Sequence, residues 1–226
     1  MDRDQQLTRF LSQFVTEHKL NLMEKVLSMR TRYLTVVLED LYQSQNASAV
    51  VRTCECLGIQ DVHVIEDTAR YGTNKKVLKG SHYWVDIIKH RIHAGGSVRA
   101  EADVLRQRGY RVLVTSVDPG SMPLQEIDVT AGPIALVMGN ELKGTSPEVV
   151  AAADGLVHIP MHGFTESFNV SVSAAICLSG LRDRMMATDI RWELSDEEKN
   201  DLRLRWLRTM VNRSELLERE FLKTLT

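Results

Sequence analysis

The chain has 226 residues, 43% of them hydrophobic and 26% charged, with a formal net charge of −2; this is the make-up of a soluble globular domain with appendages. No apolar run approaches the roughly 20 residues of a membrane helix, and Met1-Asp-Arg-Asp-Gln-Gln6 lacks the layout of a secretory signal, so a cytoplasmic protein with no membrane partner is expected. The slightly acidic balance excludes a global positive field for nucleic acid but leaves room for local basic clusters.

Residues 5 to 28 read as helical, with Leu7, Phe10, Leu11 and Phe14 on one stripe, a break around Leu20-Asn21, and a second apolar set of Leu22, Val26 and Leu27. Leu34 to Leu38 is a buried strand rich in β-branched residues, ending in the polar loop Glu39 to Asn46. A helix from Ala47 to Leu57 follows, closed by Gly58, and Val62 to Ile65 is the second strand. Glu66 to Ser81 spans 16 residues and is polar, long enough to suggest a functional loop. Trp84 to Ile88 reads as a short third strand, Gly96 to Arg108 as a helix ended by Gly109, and Arg111 to Val117 as a strand broken by Asp118-Pro-Gly.

Further strands are expected at Ile134 to Met138 and Leu156 to Pro160, separated by a helix from about Ser146 with Pro147 at its first position. Val170, Ala174, Cys177, Leu178 and Leu181 mark the stripe of the next helix. From about Ala187 the chain turns helical and charged: Ser195 to Glu198 is a capping box, Leu202, Trp206 and Met210 repeat at i+4, and a break at Asn212 to Glu215 precedes a closing helix from Leu216 to Leu225. The alternation argues for an α/β protein with a mostly parallel sheet and helical extensions at both ends.

Three cysteines, Cys54, Cys56 and Cys177, sit in apolar helical patterns and are expected to be reduced, buried thiols. Cys54-x-Cys56 lacks a second ligand pair, so no zinc site is expected. Positive charge gathers in Arg30 and Arg32, in Lys75, Lys76 and Lys79, and in Arg203, Arg205, Arg208 and Arg213. Phosphate-binding patches and solvated helix faces both produce such clusters.

Gly139-Asn-Glu-Leu-Lys-Gly144 follows a strand with the glycine spacing of a phosphate loop, but Thr145 stands where the phosphate-reaching lysine belongs, which argues against a nucleotide hydrolase. His158 and His162 are four apart, yet Pro160 prevents a helix and no Glu follows His158, so the metalloprotease pattern fails. What stands is two strand-loop-helix units in 134–181: in the first, Gly139 with no Cβ lets a ligand approach the backbone, and Asn140 and Glu141 offer an amide and a carboxylate beside it; the second has Ser167 and Asn169. Ligands bind α/β proteins at the carboxyl ends of strands, where such loops gather. A simple turn at Gly139 and a simple helix cap at Asn169 are the plainer alternatives. Upstream, Asn46 and Arg52 are the polar exceptions in a small, apolar helix; Arg52 there calls for an anion, either a carboxylate of the protein or a phosphate of a ligand.

Three linked blocks resemble the SPOUT superfamily of RNA methyltransferases, in its SpoU branch of tRNA and rRNA ribose 2′-O-methyltransferases. They are Asn46-Ala-Ser-Ala-Val-Val-Arg52-Thr-Cys, Ala135-Leu-Val-Met-Gly-Asn-Glu-Leu-Lys-Gly144, and Ile159-Pro-Met161 with Glu166-Ser-Phe-Asn-Val-Ser-Val-Ser-Ala174. Lys76-Val-Leu-Lys-Gly-Ser with Trp84-Val-Asp also looks like the enzymes that methylate a D-loop guanosine of tRNA. The resemblance implies a deep trefoil knot within about 134–181, a homodimer with active sites at the interface, and S-adenosylmethionine as cofactor with no metal. It implies a methyltransferase domain over 32–185, flanked by extensions 1–31 and 186–226 that bind RNA or pack the dimer.

By position in the motifs, the resemblance assigns catalysis to Arg52, Asn46, Glu141, Ser167 and Asn169. It assigns the cofactor to Ser116, Val117, Gly139, Ile159, Met161 and Ser167. RNA contact is expected from Lys75, Lys76 and Lys79 and from Arg203, Arg205 and Arg208. The alternatives are the same chemistry on rRNA or on a wobble nucleotide of tRNA, and a non-catalytic knotted RNA-binding protein.

Overall fold

The computed structural model of the chain describes residues 3–67, 71–92, 98–118 and 120–225. Its elements are α1 (Arg3–Ser12), α2 (Glu17–Ser28), β1 (Leu34–Glu39), α3 (Ser44–Cys56), β2 (Asp61–Glu66), α4 (Lys75–Leu78), β3 (Asp86–Arg91), α5 (Val98–Gln107) and β4 (Arg111–Thr115). They continue with β5 (Met122–Pro123), β6 (Ile134–Met138), α6 (Pro147–Ala152), β7 (Gly155–His158), α7 (Val170–Met186), α8 (Asp196–Met210) and α9 (Ser214–Lys223). The chain divides into two compact units, Met1–Arg30 with Glu193–Thr226, and Thr31–Trp192. No helix among the described residues is long and apolar enough to cross a membrane.

The unit Thr31–Trp192 is built on a sheet in the order β3-β2-β1-β6-β4-β7-β5, every pair parallel. β1, β2 and β6 are buried along their whole length. A parallel sheet is covered on both faces and needs no polar alternation; β6 is wholly apolar, while the buried polar members Thr35, Glu39, Asp61, His63 and Glu66 of β1 and β2 hold hydrogen bonds or ion pairs. One face carries Leu34, Val36, Leu38, Leu136 and Met138 and packs with Val50, Val51 and Cys54 of α3 and Cys177, Leu178 and Leu181 of α7. The other carries Val37, Ile65, Val112, Val114, Ala135 and Val137 and packs with Ala102 and Leu105 of α5 and Val149 and Ala152 of α6. Each Val, Leu, Ile or Met among them taken from water contributes on the order of 1.5–3 kcal/mol.

Local signals end the elements where the chemistry demands. α3 stops where Gly58 takes φ 73° and the Ile59 amide donates to Cys54 O at 2.9 Å, a left-handed closure glycine adopts readily. Ser146 caps α6, its side chain accepting from the Val149 amide, with Pro147 first in the helix.

Several boundaries shift from the sequence expectation. β3 begins at Asp86, because Ser81–Tyr83 forms a 3-10 turn and Val85 is buried ahead of the strand. As an edge strand with one neighbour, β3 carries the polar Lys89, His90 and Arg91 that apolar pattern-reading discards. β4 ends at Thr115, leaving Val117 68% exposed, and β7 is Gly155–His158, ending before Pro160. The expected start of α5 at Gly96 and the proline of the Asp118-Pro-Gly break lie outside the described residues. A one-turn helix, α4, sits inside the long polar loop. Cys54 and Cys177 are buried, and burial pushes the Cys177 thiol up to about 12, but Cys56 is exposed, contrary to the expectation of three buried thiols.

In the unit Met1–Arg30 with Glu193–Thr226, the helical break falls at Gln13–Val15, not Leu20-Asn21, because Thr16 caps α2 by accepting from the Lys19 amide. The shift rotates the stripe: Met23 and Leu27 are buried while Leu22 is 53% exposed. Leu7 and Leu11 are buried, and Phe10 stacks on Phe221 with centroids 4.4 Å apart. The expected capping box opens α8: Glu198 N donates to Ser195 Oγ at 3.2 Å and Ser195 N to Glu198 Oε2 at 2.8 Å.

Candidate active site

Parallel strands send all their carboxyl ends to one edge, so strand order decides which loops meet. β6 lies between β1 and β4, and β7 beyond β4. The loops after β1, β6, β4 and β7 therefore stand side by side, bringing together the neighbourhoods of Asn46, Gly139–Glu141, Ser116–Val117 and Ile159–Met161.

A polar junction joins three of these segments. The Asn46 side-chain amide donates to Glu141 Oε1 at 2.9 Å and to Gln43 Oε1 at 3.3 Å. Its carbonyl accepts from Asn169 Nδ2 at 3.2 Å. Glu141 Oε2 accepts from the Tyr42 backbone amide at 3.3 Å. Asn46 is 7% exposed, so its amide is committed to these partners. Asn169 also caps α7, its Oδ1 accepting from Ser171 N at 2.9 Å and Ser171 Oγ at 2.6 Å. The cap and the junction are thus two ends of one side chain.

Gly139 is required for a different reason than an approaching ligand. A Cβ there would lie 2.3 Å from Thr145 N and 2.4 Å from Gly144 C and Thr145 Oγ1, so the loop's own return occupies the space. Asn140 holds that return: its Nδ2 donates to Asp40 O at 2.7 Å, its Oδ1 accepts from Leu142 N at 2.8 Å and Lys143 N at 3.2 Å, and its backbone pairs with Gly144. Glu39, at the end of β1, takes the Ser146 amide at 3.1 Å, and burial raises its carboxyl above the ordinary range. Sequence reasoning gave Asn140 no structural role and missed Glu39; a short amide side chain before two open backbone N–H groups was the available signal for the first.

Arg52 is exposed and lies six residues beyond Asn46 on α3. That is about 9 Å along the axis and about 120° round the helix, so Arg52 does not join the junction of its own chain. Among the described residues no hydrogen bond or ion pair holds its guanidinium, and the sequence's premise of an arginine on a covered apolar face gives way to one on an open face. Ser167 is likewise exposed and outside the junction, and neighbouring Phe168 is 43% exposed. Ile159 and Met161 are half-buried, and Ser116 N donates to Val157 O at 2.8 Å.

The basic clusters differ sharply. Arg203 forks onto Glu24 at 2.6 and 2.8 Å, Arg208 onto Glu218 at 2.9 and 2.7 Å, and Arg205 reaches Asp201 at 3.0 Å. Arg30 is fully buried with its guanidinium over the Trp206 ring, and Arg32 pairs with Asp61 and Asp86. Lys75, Lys76 and Lys79 are exposed, and none pairs with a carboxylate among the described residues.

The family described as SpoU rRNA Methylase matches residues 33–179. A tRNA (guanosine(18)-2′-O)-methyltransferase of Borreliella burgdorferi is 42% identical over 208 residues, covering 92% of this chain and 93% of that protein. The crystal structure of a TrmH/SpoU tRNA modifying enzyme of Aquifex aeolicus superposes with a TM-score of 0.73 at 31% identity, covering 87% of this chain and 98% of that one. The SpoU methyltransferase AviRb of Streptomyces viridochromogenes, solved with AdoMet, shares the fold at a TM-score of 0.59 and 22% identity, over 73% of this chain and 65% of that one.

Proposed function

The chain belongs to the SpoU rRNA Methylase family, and on that premise we propose that it transfers a methyl group from S-adenosylmethionine to the ribose 2′-hydroxyl of guanosine 18 in the tRNA D-loop. The observation that carries the site is the Asn46 amide, which ties Glu141 to Asn169 and so draws the three family motifs together.

The chain's residues fit the cofactor. Half-buried Ile159 and Met161 and exposed Val117 offer apolar surface to a purine at adjacent strand ends, next to Ser116 and Gly139. Thr145 Oγ1, against Gly139, is a buried hydroxyl with no hydrogen-bond partner among the described residues. When bound, the cofactor supplies a sulfonium-activated methyl group, so the protein's work is alignment and charge. Ser167 and Asn169 hold the ribose and the cofactor's polar end. Arg52, protonated at ordinary pH, binds the phosphate beside the target ribose and stabilises the oxygen as its proton leaves to phosphate or water.

Arg52 is exposed and makes no hydrogen bond to its own junction among the described residues, which supports a homodimer in which one protomer's Arg52 serves its partner's Asn46, Glu141 and Asn169. The strand order, with β6 and β7 on either side of β4, supports a trefoil thread through 134–181. RNA is gripped first by Lys75, Lys76 and Lys79. Arg203, Arg205 and Arg208 form a second contact that exchanges carboxylates for phosphate oxygens. Its cofactor and substrate put the enzyme in the cytoplasm. Mapping the nucleotide methylated in total tRNA and rRNA tests the assignment: a single 2′-O-methylguanosine in the D-loop is expected, and a modified rRNA or wobble nucleotide would overturn it.

A further inference from the structure

The loop after β2 is fastened along α3. The Asn74 amide donates to the fully buried Ser48 Oγ at 2.8 Å, and the Cβ position of Gly72 lies 3.4 Å from Ser44 Cβ. Ser44, Ser48 and Arg52 follow at four-residue steps on one helix ridge, so this loop borders the ridge that carries Arg52. Leu78 and Val85 pin the following turn into the core. Asn74 caps α4, and Lys79 and Gly80 take left-handed φ of 46° and 87°, which ends the helix abruptly. From Lys75 to Val85 the chain presents Lys75, Lys76 and Lys79, then Tyr83, which is 59% exposed. His82 backs that ring with centroids 4.1 Å apart.

We propose that Tyr83 is a stacking platform for an unpaired nucleobase of the substrate RNA, flanked by Lys75, Lys76 and Lys79 on the adjoining phosphates. An aromatic ring left in water on a turn anchored in the core, beside three cations that pair with no carboxylate among the described residues, matches the two chemistries of unpaired RNA: a π face and a charged backbone. A D-loop offers such bases, and this turn would hold one beside the phosphate that Arg52 engages. Tyr83 is here a positioning residue, and the inference rests on the RNA-methyltransferase reading.

The test compares wild type with Tyr83→Ala, Tyr83→Phe and Tyr83→Trp in methyl transfer to a tRNA transcript, alongside filter binding over a salt series. Tyr83→Ala should raise KM for tRNA about tenfold, the scale of one lost base stack, with kcat at saturating RNA and S-adenosylmethionine affinity unchanged. Phe and Trp should restore KM. The salt slope should persist in Tyr83→Ala and flatten in a Lys75/Lys76/Lys79→Ala triple variant. Equal KM for wild type and Tyr83→Ala, or a loss confined to kcat, overturns the platform while leaving the methyltransferase standing. A wild-type protein that methylates no RNA overturns both.

Discussion

The side chains of Asn46 and Glu141, 95 residues apart, meet at 2.9 Å, amide to carboxylate. Asn46→Asp would set two carboxylates against each other and also remove the N–H that Glu141 accepts. Losing that bond in a buried setting costs about 1–3 kcal/mol, and repulsion adds to it. The expected outcome is a lower midpoint in thermal unfolding and at least a tenfold loss in single-turnover methyl transfer, whereas Glu141→Gln, which can still accept, should lose less. Equal behaviour of the two variants would contradict the junction.

Arg52→Ala should lower transfer by about 100-fold or more, the scale of removing one charge-stabilising donor, with S-adenosylmethionine affinity within about twofold by calorimetry. Arg52→Lys keeps the charge but loses the planar fork and should recover little. Because the arginine is assigned to the partner's site, co-expressed Arg52→Ala and Asn46→Asp subunits should regain about one quarter of wild-type activity, since random pairing leaves one intact site in half the dimers. No regain would mean that each chain completes its own site.

Gly139→Ala drives a methyl group to 2.3 Å from Thr145 N. Backbone cannot yield as a flexible side chain does, so the 140–145 loop must open, at a cost of about 1–3 kcal/mol. Calorimetry should show S-adenosylmethionine affinity falling at least tenfold. Gly155→Ala is the control: its Cβ would sit 3.4 Å from Leu113 Cδ2, ordinary contact, and it should bind as wild type does.

His63 is 1% exposed and shares a 2.9 Å hydrogen bond with His90, whose other ring nitrogen meets Glu101 at 2.5 Å. Burial first, then the charges of His90 and Arg108, holds its pKa at about 4 against an ordinary 6.5. The unfolded chain takes up this proton near pH 6.5 and the folded chain only near 4. Stability is therefore fully present above 6.5 and lost as pH falls through that window, by roughly 3 kcal/mol. Urea midpoints at pH 7 and 4.5 should differ in that direction, and His63→Gln should shrink the difference.

The apolar strands were legible because β1, β2 and β6 are buried on both faces, and so were the caps Ser146 and Ser195. β3 was misplaced because an edge strand mixes polar residues into its run. At the site, the polar residues of the loops were readable from type and spacing, but not what they bind. Gly139 looked like room for a ligand and is room for the chain's own backbone. Asn140 looked like a free amide and is wholly used in holding the loop. Arg203, Arg205 and Arg208 had the same appearance as Lys75, Lys76 and Lys79 in one dimension; their pairing with carboxylates separates them. The partners Glu24 of Arg203 and Asp40 of Asn140 lie 179 and 100 residues away, which local pattern does not encode; Arg205 and Asp201, four apart on one helix, were within its reach.

The most direct test supplies tritiated S-adenosylmethionine with two tRNA transcripts that differ only in the 2′-hydroxyl of guanosine 18, present in one and replaced by hydrogen in the other. The account predicts label in the first transcript and none in the second. Equal label in both, or none in either, would contradict it.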